Sequence, residues 1–145
     1  MKKLLLIGTG FLPFVMGFAL HLFITGCPVG LSLFFSAINI ATLLLWGAAG
    51  FFLRYHTASA LKATALAHLP ALAVLLLILV QELILGHYWM NFLGLATQVF
   101  FLPLVYLPAN MLFFVRRMPL IYAAAFCGMA AVFWLGGCLR ERYAP

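Results

Sequence analysis

Apolar residues along this chain gather into five long runs, separated by short stretches that contain Gly, Pro, Lys or Arg. The runs cover residues 4–25, 29–53, 63–85, 89–115 and 118–139. A helix crosses the hydrocarbon core of a bilayer with about 20 apolar residues, so each run is long enough to span it. The pattern therefore predicts an all-α fold, a polytopic membrane bundle of about five transmembrane helices. The same pattern predicts a single transmembrane domain over residues 1–145.

The stretches between the runs are short, at residues 26–28, 54–62, 86–87 and 116–117. Connections of this length predict that consecutive helices are antiparallel neighbours. The fourth run contains Pro103 and Pro108. Because proline removes a backbone donor and its ring crowds the preceding turn, this run is expected to tilt, kink or break locally.

Composition excludes a water-soluble fold. The 145 residues are 68% hydrophobic and 7% charged, whereas about a quarter of the residues in a soluble domain are charged. The formal net charge is +6, but the eight Lys and Arg residues are spread between the apolar runs and form no single patch. The sequence therefore predicts the lipid bilayer as a partner, and no nucleic acid.

The basic residues also predict an orientation, because Lys and Arg are enriched in cytoplasmic loops. With the amino terminus inside, six of the eight face the cytoplasm: Lys2, Lys3, Arg54, Lys62, Arg116 and Arg117. Arg140 and Arg142 are then left outside. The expected location is a cytoplasmic (inner) membrane, crossed several times, with the amino terminus in the cytoplasm and the carboxyl terminus outside.

The amino terminus has a second interpretation. Lys2 and Lys3, an apolar stretch and the sequence from Ile24 to Cys27 resemble a lipoprotein signal, in which the cysteine is lipidated and residues 1–26 are removed. Four spans would then remain, in the same orientation. Against this interpretation, the apolar stretch is longer than the usual signal core of about 7–15 residues and contains Pro13 and His21.

Small and polar residues form a stripe along the second run. At 100° per residue the stripe falls within about 80° of the helix surface, and it consists of Ser32, Ser36, Asn39, Gly47, Gly50 and Arg54. Helices associate in membranes through such small residues and through hydrogen bonds between polar ones. This face is therefore predicted to pack against other helices.

Glu82 is the only acidic side chain within the five runs, since the other acid, Glu141, follows the last run. Carboxylates inside membranes are costly and are therefore candidates for function. Counting turns from the run ends predicts a polar cluster in one outward-facing layer, composed of Glu82, His21, His87, Asn91 and Gln81. The alternative is that Glu82 reaches headgroups or interfacial water, because it lies about one turn from the surface.

A polar path across the membrane is a further hypothesis. His68 lies 14 residues before Glu82 and on roughly the same helical face. The positions between them on that face are apolar, so a path would need Asn39 and Gln98 from other helices. No H-E-x-x-H or C-x-x-C spacing is present, and the sequence predicts neither a metal nor a cofactor.

Cys27 and Cys138 are both expected near the outer surface. In an oxidising compartment they could form a disulfide that joins the first loop to the end of the last span. The alternatives are two unpaired thiols or lipidation of Cys27. Cys127, in the middle of the last run, is interpreted as a small packing residue.

No nucleophile elbow or phosphate-binding loop is present, and the loops are too short for an extramembrane catalytic site. The first hypothesis is therefore a non-enzymatic accessory or regulatory subunit, whose partners are other membrane subunits or further copies of the chain. The second is a small transporter or channel, proton- or cation-coupled, that uses Glu82. The third is a membrane redox or metal-dependent enzyme.

Overall fold

The computed structural model describes residues 2–26, 32–112, 114 and 117–143. Its elements are helical throughout these ranges, which confirms the all-α prediction. The helices are α1 (Lys2–Thr9), α2 (Leu12–Gly26), α3 (Ser32–Leu53), α4 (Ala60–Ala67), α5 (Leu69–Leu79), α6 (Phe92–Met111) and α7 (Met118–Tyr143). A 3₁₀ turn over Arg54–His56 follows α3, and a π-helical turn over Val80–Ile84 follows α5.

Four helical stretches are long and apolar enough to cross a membrane: Lys3–Gly26, Leu33–His56, Phe92–Met111 and Met118–Tyr143. The α4–α5 pair makes a fifth when its two parts are taken as one bent span. A multi-pass membrane bundle is therefore the architecture of this chain. α6 passes through Pro103 and Pro108 without interruption.

The third predicted span, residues 63–85, is broken in the middle. α4 and α5 meet at His68 with a bend of 50°. Pro70 lies in the first turn of α5, where it has no N–H for the carbonyl of Leu66 and disfavours helical backbone at the residue before it. The π-helical turn then widens the backbone further along. Positions counted at 100° per residue therefore do not share a face across this stretch.

Glycines set the closest helix contacts. A Cβ on Gly17 of α2 would lie 1.9 Å from the carbonyl oxygen of Val99 in α6, and one on Gly50 of α3 would lie 2.1 Å from that of Phe133 in α7. These distances are too short for any other residue, so the backbones touch. The stripe predicted on the second span packs inward at Gly50, as its small residues indicated.

α3 and α7 run parallel to each other. Gly50 contacts Phe133, and further along both helices, one turn on α3 and about two turns on α7, Arg54 Nε lies 2.6 Å from Glu141 Oε1. The ends of the two helices therefore lie together. The distribution of Lys and Arg predicted that Arg54 and the carboxyl-terminal charges lie at opposite ends of the bundle, and this ion pair corrects that prediction.

α2 and α6 are also parallel. Phe14 lines a groove together with Thr97, and the next turn of α2 brings Gly17 against Val99 and Pro103. Five full crossings in alternation would make the first and fourth spans antiparallel. The predicted alternation fails because α4, α5 and α6, with a bend between α4 and α5, together lead the chain from the end of α3 to the start of α7.

The core lies where α3, α4, α5, α6 and α7 meet. Its large, nearly inaccessible side chains are Trp46, Ile78, Phe100, Phe101, Leu104, Met129 and Phe133. Many aliphatic side chains point outward instead; Leu33 is 81% exposed and Ile84 is 75% exposed. An apolar exterior over an apolar core is the arrangement expected of a bundle surrounded by lipid.

Candidate functional site

Gln81 is the centre of a buried polar cluster at the π-helical turn. Its side chain is fully buried, its Oε1 accepts a hydrogen bond from the backbone N–H of Trp89 at 3.0 Å, and its Nε2 donates to Thr97 Oγ1 at 3.4 Å. Thr97 in turn donates to the carbonyl of Gly94 at 2.8 Å. Gln81 thereby ties the loop that follows α5 to the first turns of α6.

Glu82 lies next to this cluster and is half-buried. The hydroxyl of Tyr88 donates a hydrogen bond to its carboxylate. The carboxylate predicted as a functional candidate therefore has a protein donor.

The turn that brings Tyr88 back to Glu82 depends on Gly86. Its φ is +70°, a conformation that glycine adopts without the steric cost that a side chain adds. The backbone N–H of His87 then bonds the carbonyl of Gln81 at 3.1 Å. A tight reversal directly after the π-helical turn positions Tyr88 six residues beyond its acceptor.

The other members of the predicted cluster have separate partners. Asn91 caps α6, where its Oδ1 accepts from the N–H of Gly94 at 2.9 Å. His87 is exposed, with Nδ1 2.8 Å from the carbonyl of Leu85. His21 is half-buried in α2. Of the predicted five, Glu82 and Gln81 lie side by side, and within the described ranges no hydrogen bond joins Glu82 to His21 or His87.

His68 is held by both ring nitrogens at the break between α4 and α5. Trp46 Nε1 donates to its Nε2 at 3.0 Å, and its Nδ1 lies 2.7 Å from the carbonyl of Thr64. The rings of Phe126 and Phe133 meet it edge-on, with centroids at 6.1 and 5.3 Å. Since Trp46 can only donate, the geometry assigns a neutral imidazole with its proton on Nδ1.

The three residues of the predicted polar path differ in their surroundings. His68 is only 3% exposed and is hydrogen-bonded to Trp46 and Thr64. Asn39 is 1% exposed, and neither of its amide atoms has a hydrogen-bond partner. Gln98 is half-buried on α6. The side chains around Asn39 are aliphatic. Apolar packing thus surrounds the amide that a path would have to include.

The basic residues concentrate at one end of the bundle, which we call the basic end. Lys3, His56 and Lys62 line a pocket there. Beside it, Arg54 pairs with Glu141, whose carboxylate also accepts from the N–H of Ala60 at 2.8 Å. The amino-terminal end of α1, the turn between α3 and α4 and the last turn of α7 therefore meet.

Two thiols fall among the described residues. Cys127 is exposed on α7, and Cys138 is half-buried one turn from the basic end; both are free. Cys27, the other member of the predicted disulfide, lies outside the described residues. In the described ranges, no three His, Cys, Asp or Glu side chains come close enough together to hold a metal ion.

Several hydrogen-bond partners were not predicted from the sequence, among them Trp46 and Tyr88. Trp46 is 22 residues from His68 and carries no spacing signal, because the contact depends on how α3 packs against α4. Tyr88 could have been found: Gly86 marks a turn, and a turn there returns the chain towards Glu82.

The chain matches no protein-family model, and no curated protein or solved structure is found to be similar to it.

Proposed function

We propose that this protein is a non-enzymatic subunit of a membrane complex, with an accessory or regulatory role. The observation that supports the proposal is that two interior polar side chains, His68 and Gln81, have their hydrogen-bond partners within the protein. Both ring nitrogens of His68 are engaged by Trp46 and Thr64, and the Gln81 amide is engaged by Trp89 and Thr97. Groups bonded in this way join helices and hold their relative positions.

A conducting or proton-relaying chain would need adjacent groups that exchange partners. Proton uptake at Nε2 of His68 would break the bond from Trp46, and Phe126 and Phe133 occupy the neighbouring space. The interior therefore favours a rigid scaffold. Its outward aliphatic surface is available to lipid and to the helices of partner subunits.

The proposed topology places the first turn of α1 and the last turn of α7 in the cytoplasm. Lys3, Arg54 and Lys62 share the basic end with the last turn of α7, which contains Arg140 and Arg142, whereas Arg117 immediately precedes α7 at the other end. The enrichment of Lys and Arg in cytoplasmic segments assigns the basic end to the cytoplasm. The chain then makes four net crossings, with α4, α5 and α6 forming one of them.

The subunit role is tested with the full chain at native abundance. Membranes are solubilised in mild detergent, the tagged protein is purified, and its partners are quantified by mass spectrometry. We expect at least one membrane protein in constant ratio, whose abundance falls when the chain is deleted. Migration of the protein alone, with no other membrane protein reduced by the deletion, would contradict the proposal.

A second candidate is a small transporter in which Glu82 binds the coupling ion. It is favoured by the position of Glu82 in a π-helical turn, because such turns occur frequently at functional sites. Glu82→Gln should then abolish flux in reconstituted vesicles, while Glu141→Gln, at the basic end, should preserve it. Equal flux in the Glu82→Gln variant and the unmodified protein would remove Glu82 from this role.

A further inference from the structure

Asn39 is a polar side chain without a protein partner in the interior of the bundle. It is 1% exposed, and both Nδ2 and Oδ1 lack hydrogen bonds. A buried polar group without a partner is costly and is rare in folded proteins. The amide therefore indicates a group that is bound when the protein is in its membrane.

A cavity of about 280 Å³ adjoins Asn39, between α3, α6 and α7. This is larger than the cavity of about 150 Å³ that accommodates a benzene ring in an engineered protein. Met111, which is 67% exposed, lies at its rim. Gly128 also lines it, and a Cβ on Gly128 would meet no atom within 4 Å. The cavity thus leads from the lipid-facing surface inward to Asn39.

The lining is unsuitable for water. Apart from Asn39, every side chain around the cavity is apolar, and a buried water usually needs two to four polar partners. One backbone acceptor lies nearby: Pro108 has no N–H, so the carbonyl of Leu104 lacks its usual helical donor. A molecule with an apolar body and one polar head group matches this combination better.

We propose that the cavity binds a single-chain amphipath from the bilayer, whose head group both donates a hydrogen bond to Asn39 Oδ1 and accepts one from Nδ2. A long-chain alcohol and a protonated fatty acid share this chemistry. The apolar tail lies between α6 and α7 and leaves the cavity at Met111. This site goes beyond the proposed subunit role and does not depend on it.

The test uses the full chain in phosphatidylcholine vesicles and a photoreactive long-chain alcohol as the probe. Labelled peptides are mapped by mass spectrometry after competition with dodecanol, dodecanoic acid or dodecane. We expect saturable labelling around the cavity, with dodecanol about tenfold more effective than dodecane, as the loss of one or two hydrogen bonds implies. Competition by dodecanoic acid at low pH assigns the protonated acid as a second ligand, whereas competition by dodecanol alone assigns the alcohol.

Two variants distinguish the contribution of the Asn39 amide to binding from that of the cavity volume. Asn39→Leu should abolish the preference for dodecanol over dodecane and retain labelling, whereas Gly128→Leu should fill the cavity and reduce labelling at least tenfold. Gly8→Leu is the matched control, because Gly8 also has open space around its Cβ but lies in α1. Circular dichroism checks that each variant folds. Equal competition by dodecanol and dodecane in the unmodified protein, or unchanged labelling of a folded Gly128→Leu variant, would overturn the proposal.

Discussion

Trp46 Nε1 donates a hydrogen bond to His68 Nε2 across 3.0 Å, and this bond joins α3 to the break between α4 and α5. At the break, the backbone of His68 departs from helical dihedral angles but keeps its hydrogen bonds to Thr64 and Leu72. The ring is fixed by Trp46 on one side and by the Thr64 carbonyl on the other. A bent span is thereby held at one angle by side-chain contacts.

Trp46→Phe should destabilise the bundle, because it leaves the buried Nε2 of His68 without a donor. The expected loss in the free energy of unfolding is about 1–3 kcal/mol. Trp134→Phe is the matched control: Trp134 is 44% exposed, and its replacement should change stability by no more than about 0.5 kcal/mol. Unfolding in detergent, followed by circular dichroism, measures both. Equal stability of the two variants would show that the bond to His68 contributes nothing.

Gly50→Ala tests the contact between α3 and α7. The added Cβ would lie 2.1 Å from the carbonyl oxygen of Phe133, a backbone atom that cannot move by itself. Because the added methyl group pushes the two helices apart, the free energy of unfolding should fall by about 1–3 kcal/mol. Gly128→Ala makes the same chemical change at a helical position with open space, where alanine's higher helix propensity should leave stability unchanged or improved. Similar destabilisation of both variants would argue against a specific contact at Gly50.

The sequence predicts the helices well because a run of about 20 apolar residues is enough to identify a membrane-spanning helix. Their arrangement was harder to predict. The rule that short connections alternate the direction of helices assumes that each apolar run crosses completely, and the bend at His68 breaks this assumption for residues 63–85. Pro70 is visible in the sequence, but whether a proline bends a helix or is accommodated within it depends on neighbours: α6 contains Pro103 and Pro108 and remains one helix.

The parallel arrangement of α3 and α7 predicts that residues 54 and 141 can be cross-linked. With the three native cysteines replaced by serine, Arg54→Cys together with Glu141→Cys should react with a short bifunctional thiol reagent within one chain. Arg54→Cys with Arg117→Cys should not, because the α7 segment between residues 117 and 141 is about 36 Å long. A gel shift detects the product. Cross-linking of the Arg117 pair but not the Glu141 pair would require antiparallel helices.

The hydrogen-bond partners of Glu82 and Gln81 were the least predictable part of the candidate site. Glu82 and Gln81 stand out in the sequence because polar residues are rare in apolar runs, yet their bonds are made to Tyr88, Trp89 and Thr97. These are common residues in membrane helices and at their ends, so type and spacing do not identify them as partners. Only the reversal at Gly86 and the approach of α6 do so.

Gln81→Leu should loosen the loop that follows the π-helical turn. The substitution removes the acceptor of the Trp89 N–H and the donor to Thr97, and an unpaired buried N–H costs about 1–3 kcal/mol. Because the affected bonds join residues 81, 89 and 97, the effect should be local: faster amide hydrogen exchange in residues 85–94 and unchanged exchange in α3 and α7. Gln98→Leu is the matched control, since Gln98 is half-buried on the same helix as Thr97. Faster exchange throughout the bundle would mean that Gln81 supports the entire fold, and unchanged exchange in residues 85–94 would mean that these bonds do not hold the loop.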